Sequence, residues 1–240
     1  MFDELKARGF DVLALHHAEA ILTHDLPEAA AEIETVLIDL EIPAEELVRG
    51  GGGEAPATQR LRQALAARGW RKHNFEVKKI IDGEERESIT HEIDHVKRFG
   101  SFTAALEIEW NNKDPFFDRD LENYKRLHAD GVISIGMIVT RGTSLHDEMR
   151  EIVRGFAEAR QIDTLEKLEQ FYEPTSRQID RIQRATVGAA FAAGWARVFV
   201  ADKFGEATTH WRKLIDRVDR GVGNPCPLLL IGIPSSIVRP

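Results

Sequence analysis

The chain has 240 residues, of which 42% are hydrophobic and 30% are charged, a balance typical of globular proteins that excludes disordered and collagen-like chains. Its longest apolar runs, 132–140 and 227–234, are far shorter than the roughly 20 residues of a membrane-spanning helix. The charged first residues lack the apolar stretch of a secretory signal, so we expect a cytoplasmic protein. The lone cysteine, Cys226, excludes an internal disulfide and a cysteine-based zinc site.

The net charge of −8 is unevenly distributed along the chain. Residues 1–60 carry 13 acidic side chains against 4 basic ones, whereas residues 177–220 carry 9 basic against 5 acidic. A basic surface that contacts a polyanion is one interpretation of the second segment. Solvated helix surfaces are the other interpretation, and charge alone favours them.

In the first half of the chain, hydrophobic spacing predicts helices and strands. The segment 11–23 is ambiguous between a strand and a short helix. Helical patterns at 27–40 and 55–68 flank the glycine run 50–53, which we interpret as a flexible approach to Glu54. Further on, alternating segments at 75–81 and 88–96 flank Asp82-Gly83 and predict a β-hairpin, which is followed by a strand at 102–110.

The second half is predicted to be mainly helical. A helix at 117–128 leads into an apolar strand at 132–140, and strand, helix, strand in this order indicates a βαβ unit with parallel strands. The later predicted elements are helices at 145–159, 165–172, 176–200 with a break near Gly194, and 207–218, and a buried strand at 228–233. We therefore expect one α/β (α+β) domain over 1–240, with a core at about 50–140 and a helical part at about 145–240.

Acidic residues on neighbouring predicted strands are the main candidates for a functional site. Glu107 and Glu109 are two positions apart, so a strand places both on one face. Asp94 lies on the preceding strand and is expected close to Glu107 across the Phe99-Gly100 turn. Paired carboxylates suit a hard divalent cation such as Mg²⁺. A solvent-facing strand edge explains the Glu107 and Glu109 pair alone, but it explains the larger cluster less well.

These residues carry a resemblance to a known family. Glu54, Asp94 and the segment Leu106-Glu107-Ile108-Glu109 resemble the core of PD-(D/E)xK nucleases, which has a glutamate on a helix, an aspartate ending one strand and Glu-x-Lys on the next. Glu109 stands where that superfamily usually has lysine. With this acid, the stretches ALEIEWNNKDPFFDRDLENYKRLHADG and GNPCPLLLIGIP are similar to the BglII/BstYI group of Type II restriction endonucleases.

The resemblance implies a mixed central sheet flanked by helices, and Mg²⁺-dependent cleavage of double-stranded DNA at a specific, palindromic site. It implies that Asp94 and Glu107 bind the metal, that Glu109 activates water or shares the metal, and that Glu54 assists indirectly. A homodimer and a cognate DNA methyltransferase as functional partner are implied as well. The alternatives are a repair or recombination nuclease with the same core and a catalytically silent DNA-binding protein.

Contacts to the DNA backbone are expected from the basic C-terminal segment. The candidates are Arg212, Lys213, Lys203 and Thr209, because cations and hydroxyl groups both bind phosphates. Core packing and helix capping would explain the same residues about as well.

Overall fold

A six-stranded mixed sheet forms the centre of the computed structural model, which describes residues 1–49 and 53–240. Its strand order is β1-β7-β6-β5-β4-β3, and two short strands, β2 and β8, pair in parallel separately. The strands are β1 (Asp11–Leu15), β2 (Ile42–Pro43), β3 (Arg71–Ile81), β4 (Glu84–Phe99), β5 (Phe102–Glu109), β6 (Ile135–Arg141), β7 (Leu228–Ile233) and β8 (Val238–Arg239).

Helices cover both faces of this sheet. Two apolar clusters are separated by it, one built mainly on α3, α5, α7 and α10 and the other on α6 and α11. The helices are α1 (Asp3–Ala7), α2 (Ala18–Ala20, continued by a π-helical turn at Ile21–Asp25), α3 (Pro27–Ile38), α4 (Ala44–Val48), α5 (Pro56–Ala67), α6 (Phe116–Ala129), α7 (Thr143–Ala159), α8 (Leu165–Leu168), α9 (Ser176–Ala185), α10 (Phe191–Lys203) and α11 (Trp211–Asp219). The expected fold class, a mixed sheet flanked by helices, is confirmed. Among the described residues, none of these helices combines the length and the apolar character needed to cross a bilayer.

The predicted hairpin is present, and its strands are longer than the sequence pattern indicated. β3 and β4 pair antiparallel around Asp82 and Gly83, both of which have positive φ. This conformation matches the twist of a hairpin and suits an Asp-Gly pair. The glycine run predicted to lead to Glu54 falls, at 50–52, outside the described residues.

The predicted βαβ unit is formed by β5, α6 and β6. β5 and β6 run parallel, with Glu107 opposite Ile138. α6 is anchored to the sheet by Tyr124, whose buried hydroxyl donates a hydrogen bond of 2.8 Å to the Met137 carbonyl. Gly136 makes this close approach possible, because a Cβ atom there would lie 2.4 Å from Cδ2 of Tyr124.

We expect Gly136→Ala to destabilise the protein by about 1–3 kcal/mol, because the new methyl group overlaps a buried ring that has little room to move. The free energy of unfolding from urea titration measures this effect. Gly155→Ala is the matched control, since nothing lies within 4 Å of a Cβ atom at that position. Equal stability of the two variants would contradict the prediction.

The helical second half differs from the predicted elements at several boundaries. The break expected near Gly194 occurs instead at 186–190, between α9 and α10. Gly194 lies inside α10, where it permits close packing: a Cβ atom would lie 2.6 Å from Cγ2 of Thr186. The helix predicted over 165–172 is only the single turn α8, and α11 begins at Trp211 rather than at 207.

Candidate active site

The register of β4 against β5 brings Asp94 beside Glu107, and β4 has a β-bulge at the same place. Arg71 pairs with Val96 and His73 with Ile93, so that between these two pairs β4 has one residue more than β3. The pairing of β4 with β5 extends only as far as His95. The N–H of Asp94 is therefore not used in the ladder with β5, and it donates a hydrogen bond of 3.3 Å to Oε1 of Glu107.

Three carboxyl groups are buried together where β5 ends against α6. Glu107 and Glu109 are each 3% exposed, and Asp120 of α6 is fully buried. Asn112 donates a hydrogen bond of 2.7 Å to Oε2 of Glu109. Arg119, which is half exposed, lies 3.6 Å from Glu109 and 2.8 Å from Asp120. The single charge of Arg119, at the rim, thus faces three buried acids.

Burial makes these acids hard to ionise. It raises the pKa of Glu107 to about 10, and the nearby charges of Asp120 and Asp94 contribute to this rise. Burial also raises the pKa of Glu109 to about 8, again with a contribution from Asp120, and it raises the pKa of Asp120. Without a further cation, the cluster therefore retains protons at neutral pH.

Within this cluster, the pair Glu109 and Asp120 offers oxygen ligands to a hard divalent cation. Oδ2 of Asp120 is buried and receives no hydrogen bond from the N–H and O–H groups of the described residues. The Asp120 carboxyl group adjoins that of Glu109, so a proton on either carboxyl would form a hydrogen bond between the two. A shared proton or a cation is needed there, and carboxylate oxygens are the ligands that Mg²⁺ prefers.

Glu54 and the carboxylate of Asp94 lie in a different environment. Both line an open cleft of about 590 Å³ together with Ile108 and Trp110. Side chains alternate along β5, so Ile108 and Trp110 point to the cleft and Glu107 and Glu109 point away from it. Asn112, which lines the cleft and bonds Glu109, lies where the cleft meets the buried acids. Within the described ranges, no three acids of this region place their ligand oxygens within 4.8 Å of one another, and this holds for Asp120 as well as for the predicted residues. The metal site over Asp94, Glu107 and Glu109 therefore stays a prediction.

The two acids that line the cleft, Glu54 and Asp94, each lie close to a basic side chain. Glu54 precedes α5 by two residues instead of lying on a helix, and it forms an ion pair of 3.0 Å with Arg62. The carboxylate of Asp94 lies 3.7 Å from Nζ of Lys72. Both acids are partly exposed, so neither is fixed as firmly as Glu107.

Of the four residues predicted to contact DNA, two form ion pairs at the surface and two form hydrogen bonds with the backbone of the chain. Arg212 is exposed and forms an ion pair of 2.6 Å with Asp147, and Lys213 lies 3.9 Å from Asp114. Lys203 donates to the Leu47 and Arg49 carbonyls, and Thr209 is fully buried, with its hydroxyl accepting a hydrogen bond from the N–H of Asn112. Lys203 and Thr209 thus have structural contacts in the chain itself.

Asp120 was not predicted, although the sequence contains a signal for it. It follows Phe117 by three residues and precedes Tyr124 by four, so it belongs to the apolar stripe of α6. A charged residue on the buried stripe of an amphipathic helix is rarely tolerated without a partner. The charged partner of Asp120 is the adjacent Arg119, and only the contact between α6 and β5 shows that Asp120 also adjoins Glu109.

Comparison with known proteins identifies the family. The family model described as restriction endonuclease BglII/BglIII matches residues 10–233, which is nearly the whole chain. No curated protein matches the chain. The matched range contains the bulge of β4, the buried acids and the helical second half. The chain therefore belongs to the BglII/BglIII family of restriction endonucleases, which are DNA endonucleases.

Proposed function

We propose that the chain is a Type II restriction endonuclease that hydrolyses phosphodiester bonds of double-stranded DNA at a specific, palindromic site, with Mg²⁺ held by Asp94, Glu107 and Glu109. The observation that carries this proposal is the burial of three carboxyl groups, those of Glu107, Glu109 and Asp120, beside the one positive charge of Arg119. A divalent cation offsets such a surplus of buried negative charge.

The residues of the chain prepare the reaction in distinct ways. Bound Mg²⁺ supplies stabilisation of the negative charge that develops on the phosphate and lowers the pKa of water. Glu107 is held in place by the N–H of Asp94 and Glu109 by Asn112. Glu109 either shares the ion or accepts the proton of the attacking water, and in both roles its carboxylate is ionised. Glu54 acts from the cleft, through a water or a side chain between it and the ion.

Plasmid DNA incubated with the protein, with and without Mg²⁺, tests the proposal. We expect discrete fragments with Mg²⁺ and intact DNA without it. Sequencing the fragment ends then identifies the site, which should read the same on both strands. Non-specific degradation would indicate a repair or recombination nuclease, and intact DNA in both conditions would indicate a DNA-binding protein without catalysis.

The proposed enzyme acts as a homodimer, because a palindromic site has a two-fold axis that a two-fold protein matches. Sedimentation with a duplex that contains the site should give two chains per duplex, and one chain per duplex would contradict this part. A cognate DNA methyltransferase, not necessarily bound, protects the host chromosome. Both enzymes then work in the cytoplasm, where that DNA is.

We expect the double variant Arg212→Glu/Lys213→Glu to bind DNA more weakly and with less dependence on salt. The slope of log affinity against log salt should decrease by about 1 for each phosphate that the variant no longer neutralises. Asp147→Asn should strengthen binding, since it releases Arg212 from its ion pair. Arg8→Glu is the matched control, as Arg8 is also paired with an acid and lies in the acidic N-terminal part. An unchanged slope in the double variant would assign these side chains to a solvated or dimer surface.

A further inference from the structure

Two histidines and a glutamate meet on the surface formed by α7, α10 and the start of α11. Nε2 of His146 lies 3.0 Å from Oε1 of Glu206, and Nε2 of His210 lies 3.6 Å from Oε2 of the same carboxylate. All three ligand atoms lie within 4.8 Å of one another, and in the described part of the chain this is the one group of histidine, cysteine and acid side chains that comes so close.

Hydrogen bonding among the described residues accounts for only one of the four ring nitrogens of these histidines, Nε2 of His146, which bonds Glu206. His210 is 1% exposed, yet neither of its ring nitrogens has a hydrogen-bond partner among the described residues, and Nδ1 of His146 has none either. The two rings stack with their centroids 3.9 Å apart and their planes 11° from parallel, so one ring has to turn out of the stack for both to bind one ion. A buried imidazole with two unpaired nitrogens is costly, because each nitrogen has lost its hydrogen bond to water.

The chemistry of the three groups matches a borderline-soft cation. Burial lowers the pKa of His210 to about 4, so this ring is neutral at physiological pH, which is the form that binds metals. Ligands around Zn²⁺, with bonds of about 2.0–2.1 Å, are roughly 3.3 Å apart. The two separations of 3.0 and 3.6 Å are close to that value.

We propose that His146, Glu206 and His210 form a second cation site, for Zn²⁺ or a chemically similar divalent transition metal, separate from the buried acids at the end of β5. Glu206 supplies the negative charge, and the imidazoles supply the nitrogen ligands that Mg²⁺ does not favour. An open cleft of about 500 Å³ adjoins His146 and Glu206, so a water molecule can complete the tetrahedron.

A cation at this site would also stabilise the turn that follows β5. The segment that leads from Glu206 to His210 is bonded to the turn after β5: Ala207 accepts from the N–H of Asp114, and the N–H of Thr209 donates to Asn112. Buried Arg141 donates to Thr208 and to the Thr209 carbonyl. A cation bound between α7 and this segment would brace the turn that carries Asn112, and we expect it to raise the thermal stability of the chain.

Titration of the full-length, chelator-treated protein with Zn²⁺, in the presence of excess Mg²⁺, tests this proposal. Mg²⁺ keeps the oxygen ligands of the acid cluster occupied, so the readout reports the histidine site. We expect one Zn²⁺ per chain, a higher unfolding temperature with Zn²⁺, and a Co²⁺ spectrum typical of a four-coordinate site with nitrogen ligands.

The variants separate this site from adventitious binding. Glu206→Gln changes an exposed side chain and should fold normally. His146→Gln removes a ring nitrogen and also the ring that stacks on His210, so urea unfolding of this variant accompanies its titration. Each of these two substitutions should weaken Zn²⁺ binding by roughly 10–100-fold or more. Loss of a residue that only hydrogen-bonds to a metal ligand already lowers the affinity by about that factor. His24→Gln, at an exposed position on the π-helical turn, is the control and should bind as the wild type does. Failure of the wild type to bind Zn²⁺, or unchanged affinity in both Glu206→Gln and His146→Gln, would overturn the proposal whatever the DNA-cleavage result.

Discussion

Glu107→Gln should lose DNA cleavage by at least about 10³-fold while the protein remains folded, because an amide cannot supply the negative charge that holds Mg²⁺, and this stabilisation amounts to several kcal/mol. The pKa of about 10 means that Glu107 is protonated in the metal-free protein. Glutamine resembles that neutral form in shape, and its oxygen can still accept the N–H of Asp94. Folding should therefore change little.

The measurement is the single-turnover cleavage rate at saturating enzyme and Mg²⁺, accompanied by urea unfolding of the same preparation. Glu92→Gln is the matched control, because Glu92 is an exposed glutamate on β4 that is paired with Lys72. It should cleave at close to the wild-type rate. Wild-type cleavage by Glu107→Gln would remove this residue from the catalytic site and leave the buried acids without a metal-binding role.

The metal-free protein should lose stability as the pH rises, and Mg²⁺ should restore it. Glu107 and Glu109 have folded-state pKa values of about 10 and about 8, above the value of roughly 4.5 expected when the chain is unfolded. The folded state then binds more protons than the unfolded state at intermediate pH. The stabilisation that comes from protonated Glu107 and Glu109 is fully present below about pH 4.5, and it is lost as the pH rises through the folded-state pKa values of about 8 and about 10. Over this range, each group lowers the free energy of unfolding by up to about 1.4 kcal/mol per pH unit.

Urea unfolding between about pH 6 and about pH 9, in a chelator and in Mg²⁺, measures this dependence. We expect a clear decrease with pH in the chelator and a flatter profile in Mg²⁺, because the ion binds the ionised carboxylates of the folded state. In the chelator, the unfolding free energy of Glu107→Gln should decrease less with pH than that of the wild type, since the variant lacks one of the two titrating groups. A wild-type slope in that variant would show that burial of Glu107 does not control the pH dependence.

Local patterns in the sequence determined most of the elements near the site. Alternation over β5 correctly placed Glu107 and Glu109 on one face, because side chains two positions apart on a strand point the same way. The Asp82-Gly83 turn correctly predicted the hairpin, and the apolar stripe of α6 predicted the βαβ unit. Each of these inferences depends on residues within one turn of helix or a few positions of strand, where hydrophobic spacing is directly visible.

Contacts between distant parts of the chain decided the rest. The sequence predicted Asp94 close to Glu107, but only the structure shows that its N–H reaches Glu107 while its carboxylate lines the cleft. The packing of α6 on β5 added Asp120 to the acids. His146 and His210 are far apart in the sequence and meet only because α7 and the start of α11 pack together. Such contacts depend on which helices and strands pack against each other. Hydrophobic spacing in the sequence predicts the helices and strands themselves, but it does not predict this packing.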